Sequence, residues 1–136
     1  MAEENYRHSE LTEQVIKAFY NVYNTPGYGF LEKVYENALL IELRKMGLMT
    51  LAQKPINVYY DGQEVGVYFA DLLVEGKVIL ELKTCESIAG EHEAQLINYL
   101  RATDIEIGLV LNFGKKPQFK KKAFSNEFKD RKTVTD

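Results

Sequence analysis

The sequence predicts an α/β domain in the order α-α-β-β-β-α-β, a mixed sheet of about four strands flanked by helices in two layers or three. Three observations carry this. Two early segments repeat apolar residues every three or four positions and are separated by the breaker "NTPGYG". The stretch from Leu51 to Thr84 is rich in β-branched and aromatic residues and is punctuated by Asp61-Gly62 and Glu75-Gly76. Ile105 to Phe113, "IEIGLVLNF", is apolar at nearly every position, the mark of a central strand covered on both faces.

The first helix is expected over His8–Tyr23, with Leu11, Val15, Ala18, Phe19 and Val22 on its apolar side and Ser9 as N-cap. The second is expected from Phe30 to Lys45, with Leu31, Val34, Tyr35, Ala38, Leu39 and Leu43 inward and Gly47 as C-cap. Three antiparallel strands follow, near 53–60, 63–74 and 77–84. A helix from Ala89 to Ala102 leads into the strand Ile105–Phe113. The closing "FKKKAFSNEFKD" fits a short helix or a strand equally.

Composition narrows the setting. With 136 residues, the chain suits one domain, 1–136, and 46% apolar residues exclude a disordered tail. No run of about 18 apolar residues marks a membrane span. The start "MAEENYRHSE" lacks the basic and apolar regions of a secretory signal. The single cysteine, Cys85, forms no internal disulfide, reads as a small buried residue, and joins no zinc-type spacing. A cytoplasmic protein is the expectation. Net charge is −3, but the segment 114–136 holds eight Lys/Arg against three acids, leaving −8 on the rest. That basic end is either a phosphate-facing patch or a solvated tail.

Within this frame, "VILELKT" (Val78–Thr84) stands out. Val78, Leu80 and Leu82 take one face of a strand; Ile79, Glu81 and Lys83 take the other. On the preceding strand Phe69, Asp71 and Leu73 share a face by the same alternation. A two-residue loop would pair Val74 with Lys77 and send Asp71 and Glu81 to opposite faces. A three-residue loop, with Gly76 at its left-handed position, pairs Val74 with Val78 and sets Asp71 opposite Glu81. The latter register is expected. It places two carboxylates about 5 Å apart, with Lys83 about 6.6 Å along the strand. Facing carboxylates repel unless a cation lies between them. Mg²⁺ takes oxygen ligands and is held by one or two carboxylates plus phosphate oxygens. A nearby Lys then orients or activates an attacking water, or stabilises charge developing on phosphorus. Taken alone, Glu-x-Lys on a strand is more often a solvated ion pair.

Asp71 followed by Glu81-Leu82-Lys83 on the next strand resembles the signature of the PD-(D/E)XK nuclease superfamily, with Ala70 where that pattern has Pro. The segment "GFLEKVY", with Gly29, Glu32 and Tyr35, resembles the motif that names the GxxExxY family within it. The likeness covers roughly Leu11 to Phe124. It implies a restriction-endonuclease-like core and a metal-dependent phosphodiesterase using Mg²⁺ or Mn²⁺. By the same resemblance Asp71 and Glu81 bind metal with Glu32 as a third acid, and Lys83 positions the water. Glu32 also reads simply as a helix-start acid, and Tyr35 as core.

In "EHEAQLINYL", His92, Gln95 and Tyr99 form one stripe of a helix whose Leu96 and Leu100 point to the core. The resemblance gives Gln95 and Tyr99 a place at the scissile phosphate or the lysine. His92 reads as a phosphate donor, a general base or a solvated side chain. The expected partner is nucleic acid, DNA before RNA, with a homodimer or protein partner supplying specificity and no membrane. The alternative is a non-catalytic nucleic-acid-binding or assembly module on the same fold; an adaptor using the aromatic "NVYYDG" and "VYF" is a third reading.

Overall fold

The computed structural model describes residues 8–129. Arg131, Lys132, Asp130 and Asp136 of the basic end lie outside them. The elements are α1 (Ser9–Asn24), α2 (Glu32–Lys45), β1 (Thr50–Tyr60), β2 (Gln63–Val74), β3 (Val78–Lys83), α3 (Gly90–Arg101), β4 (Ile107–Phe113), β5 (Pro117–Ala123) and a 3₁₀ turn at Asn126–Phe128. One sheet runs β1-β2-β3-β4-β5. Only β3 and β4 are parallel, and α3 makes the crossover that a parallel pair requires. The sheet has five strands rather than four because "PQFKKKA" extends along β4 as an antiparallel edge.

The layers number three. On one face α1 and α2 pack Val15, Phe19, Tyr35 and Leu39 against Leu72, Leu80, Leu82, Leu109 and Leu111. On the other, Leu96 and Leu100 of α3 pack against Leu73, Ile79 and Val110. All seven residues of β4 are buried, as its unbroken apolar pattern predicts.

Helix starts differ from expectation by a residue or two. The first α-helical bond of α1 runs from Thr12 N–H to His8 O, so His8, with φ 55°, occupies the N-cap place expected for Ser9. In α2, Leu31 is extended and 80% exposed rather than inward. Tyr35 explains the late start. Its hydroxyl donates to Gly27 O (2.5 Å) and accepts from Phe30 N–H (3.2 Å), which straps the preceding loop across the helix end. Its ring is fully buried and stacks on Phe113 at 4.4 Å. Gly29, at φ 109°, supplies the backbone turn that brings the loop there. Gly47 closes α2 as expected, at φ 81° with its N–H on Arg44 O.

The β1–β2 hairpin carries an irregularity that alternation does not anticipate. Ala52 pairs with Leu72 and Lys54 with Ala70, but the rung between them, Gln53 with Asp71, is missing, and Gln53 has φ 54°. The pairing register is kept across the gap, but the side chains of β2 change faces there, Leu72 packing on the α1–α2 side and Ala70 on the α3 side. Tyr68 meets Tyr99 of α3 and Ala70 joins the α3-side core, yet so does Leu73. Phe69 therefore does not share Leu73's face. Strand β1 also begins at Thr50 rather than near 53, because pairing continues on both sides of Gln53 and of Pro55. The edge position of β1 tolerates that proline.

Gly114 ends β4 where the chain after β3 crosses it. A Cβ there would lie 2.3 Å from the Cys85 carbonyl oxygen. Gly114→Ala is expected to cost about 1–3 kcal/mol, seen as a lower thermal midpoint by circular dichroism; an unchanged midpoint would refute this close approach.

Candidate active site

The turn after β2 has Glu75 and Gly76 both at positive φ, 55° and 65°, and Lys77 N–H donates to Val74 O. Val74 then pairs with Val78, Leu73 with Ile79 and Leu72 with Leu80. This is the register of the three-residue connection, with Asp71 next in line opposite Glu81. The backbone ladder stops at that point. Asp71 N–H donates instead to Glu81 Oε2 (2.9 Å), and Leu82 N–H donates to Asp71 Oδ2 (2.8 Å). The two carboxylates replace two rungs of sheet and lock the strands through each other's backbone.

Their surroundings resist charge. Glu81 is 6% exposed, and burial first, then the Asp71 carboxylate, push its carboxyl up to about 8. Burial also raises Asp71, although the Leu82 N–H pulls in the other direction. Glu32, the first residue of α2, is raised by burial and then by Asp71. Lys83, half-buried at the end of β3, favours the ionised form of all three.

Helix α3 brings two further residues to this point. Tyr99 is buried, and its hydroxyl is pushed up to about 12 by burial and then by Glu81 and Asp71. Gln95, one turn earlier on the helix, favours the ionised form of that hydroxyl. Both line a groove of about 710 Å³ along α3, with Tyr68 of the hairpin on its far wall. The groove meets the acidic pair through Tyr99. His92 also lines it, but its Nδ1 accepts the Ala89 N–H (3.0 Å), so it caps the start of α3.

Two residues in this region escaped the sequence reading. Glu36, one turn after Glu32, is 4% exposed and accepts from Lys33 Nζ (2.7 Å) and Gln53 Nε2 (3.0 Å). Gln53 lies opposite Asp71 where the β1–β2 ladder is interrupted, and it favours the ionised form of that carboxyl. The signal for Glu36 was its i+4 spacing from Glu32; nothing in the sequence marked Gln53. Elsewhere, Cys85 is half-buried rather than buried; its backbone N–H and C=O are held by the side chain of buried Asn112. The basic end divides. Lys115, Lys116 and Lys120 are exposed on and beside the β5 edge, Lys122 pairs with Glu93, and Lys129 donates to Thr103 O and Ile105 O.

For a cation, the donors are oxygens only. Among the described residues no three Asp, Glu, His or Cys side chains converge as a ready metal cage, so Glu32 is not drawn into one cluster with Asp71 and Glu81. The pair itself fits Mg²⁺ or Mn²⁺: a buried Glu81 and a half-buried Asp71 whose carboxylates repel each other, beside a Lys. No described helix is long and apolar enough to cross a membrane.

Comparison with solved structures finds the crystal structure of SSO0001, at 19% identity and a TM-score of 0.49; the alignment covers 89% of this chain and 61% of that one. This chain spans 61% of that protein's length. No curated protein matches. Comparison with protein families matches residues 9–123, from the first residue of α1 to the last of β5, to the PD-(D/E)XK nuclease superfamily. A match over every helix and strand of the sheet fold places this chain as a member of the PD-(D/E)XK nuclease superfamily.

Proposed function

We propose that this chain is a divalent-metal-dependent nuclease of the GxxExxY type that hydrolyses phosphodiester bonds, in DNA before RNA, within the cytoplasm. The observation that carries the reading is the interlocked pair Asp71 and Glu81 beside Lys83. Asp71 and Glu81 would hold Mg²⁺ or Mn²⁺, with Glu32 at the start of α2 joining directly or through water. When bound, the cation supplies Lewis-acid polarisation of the phosphodiester and neutralises charge on its oxygens. Lys83 orients the attacking water and stabilises the charge that develops on phosphorus. Tyr99 and Gln95 flank the phosphate from α3. The groove along α3, with the half-exposed ring of Tyr68 facing Tyr99 at 5.7 Å, gives a nucleotide next to that phosphate a surface to stack on. A core this small carries little material for reading base edges, so a second copy or a protein partner supplies specificity.

The test is incubation of the purified chain with single- and double-stranded DNA and RNA in Mg²⁺, Mn²⁺ or chelator. Expected is cleavage of at least one DNA form in either metal and none in chelator. Cleavage at equal rate in chelator would refute the metal-dependent reading.

A further inference from the structure

Gln53 sits in the middle of β1 with φ 54°, a backbone conformation that L residues other than Gly, Asn and Asp rarely adopt. Packing does not explain it, because the residue is exposed overall. Its bonds do. The kink removes the rung between Gln53 and Asp71 and turns the side-chain amide toward α2, where Nε2 donates to Glu36 Oε1 at 3.0 Å. Glu36 is itself anchored by Lys33. Gln53 stands opposite Asp71 across that gap, and its amide favours the ionised Asp71 carboxylate. Lacking a ladder rung on its β1 side, Asp71 depends on side chains for its placement on that side.

We propose that Gln53 is a positioning residue for the metal site, holding Asp71 at the angle the cation needs by tying it to Glu36 on α2. The inference rests on the metal-site reading above and adds a member to it that touches neither substrate nor metal. Residues that orient metal ligands in this way typically matter about 10- to 100-fold in metal affinity.

The experiment measures Mn²⁺ affinity by calorimetry and the thermal midpoint in chelator for the full chain and for Gln53→Gly, Gln53→Asn and Glu81→Ala. Glycine accepts positive φ freely, so Gln53→Gly keeps the kink and removes the side chain that carries the amide. It is expected to melt within about 2 °C of the parent, since relief at φ offsets the lost bonds, yet to bind Mn²⁺ about tenfold more weakly. Gln53→Asn, which also tolerates this backbone but is one methylene short of spanning Glu36 and Asp71, is expected to match it. A purely structural role would move the midpoint and leave affinity alone. Parent-like affinity in Gln53→Gly, with binding lost in Glu81→Ala, overturns the role of Gln53 and leaves the metal site standing. Absence of binding in the parent overturns both.

Discussion

Lys83→Ala is expected to lower metal-dependent cleavage about 10³-fold while leaving the fold intact. The side chain ends β3 beside the acidic pair, and its loss removes an ammonium whose field favours ionised Glu32, Asp71 and Glu81 together. It opens no core cavity, because Lys83 belongs to neither of the two apolar clusters that β3 joins. The midpoint should shift by no more than about 0.5 kcal/mol's worth, as for a surface change. Lys83→Arg should restore little, since a planar guanidinium replaces a compact charge at a different reach. Single-turnover cleavage at saturating Mn²⁺ reads the effect; a Lys83→Ala rate within threefold of the parent would remove the lysine from the mechanism.

Stability in chelator is expected to fall as pH rises from about 5 to 9, and Mn²⁺ to reverse the fall. Glu81 is raised in the folded chain from 4.5 to about 8. A carboxyl raised on folding binds its proton more tightly in the native state. Its contribution is therefore fully present below the unfolded value and is lost as pH rises through the folded one. The loss is on the order of 4 kcal/mol, or about 15 °C in midpoint for a chain of this size. Asp71 and Glu32, raised in the same sense, add to it. A divalent cation replaces the proton between the carboxylates, so its stabilising effect should be largest at the alkaline end. Glu81→Gln keeps an oxygen for Asp71 N–H and removes the charge. It should flatten the profile and abolish the Mn²⁺ response. Melting curves across pH in chelator and in Mn²⁺ decide the matter: a parent profile flat between pH 5 and 9 would contradict a buried Glu81 repelled by Asp71.

The sequence made the hairpin register legible because one turn dipeptide, Glu75-Gly76, sits at a fixed distance from both Asp71 and Glu81. It made β4 legible because no polar residue but Asn112 interrupts the strand. Strand β5 was ambiguous because an edge strand carrying Lys120, Lys121 and Lys122 on its length has neither strong alternation nor an apolar face. The slip of facing at Asp71 could not be read at all. It arises from the backbone of Gln53, a residue type with no preference for that conformation, so no local propensity announces it. Glu36 was hidden for the opposite reason: Lys33 and Glu36 at i, i+3 look like an ordinary surface pair until β1 is laid over them.

The exchange of sheet rungs for carboxylate contacts gives this site its own spectroscopic probes. The amide protons of Asp71 and Leu82 point at Glu81 and Asp71 rather than at carbonyls. Their chemical shifts and solvent-exchange rates consequently track whatever occupies the carboxyl groups, proton or cation, one amide for each. Two backbone resonances can thus follow each carboxyl separately during a titration, without a label and without any substrate being known.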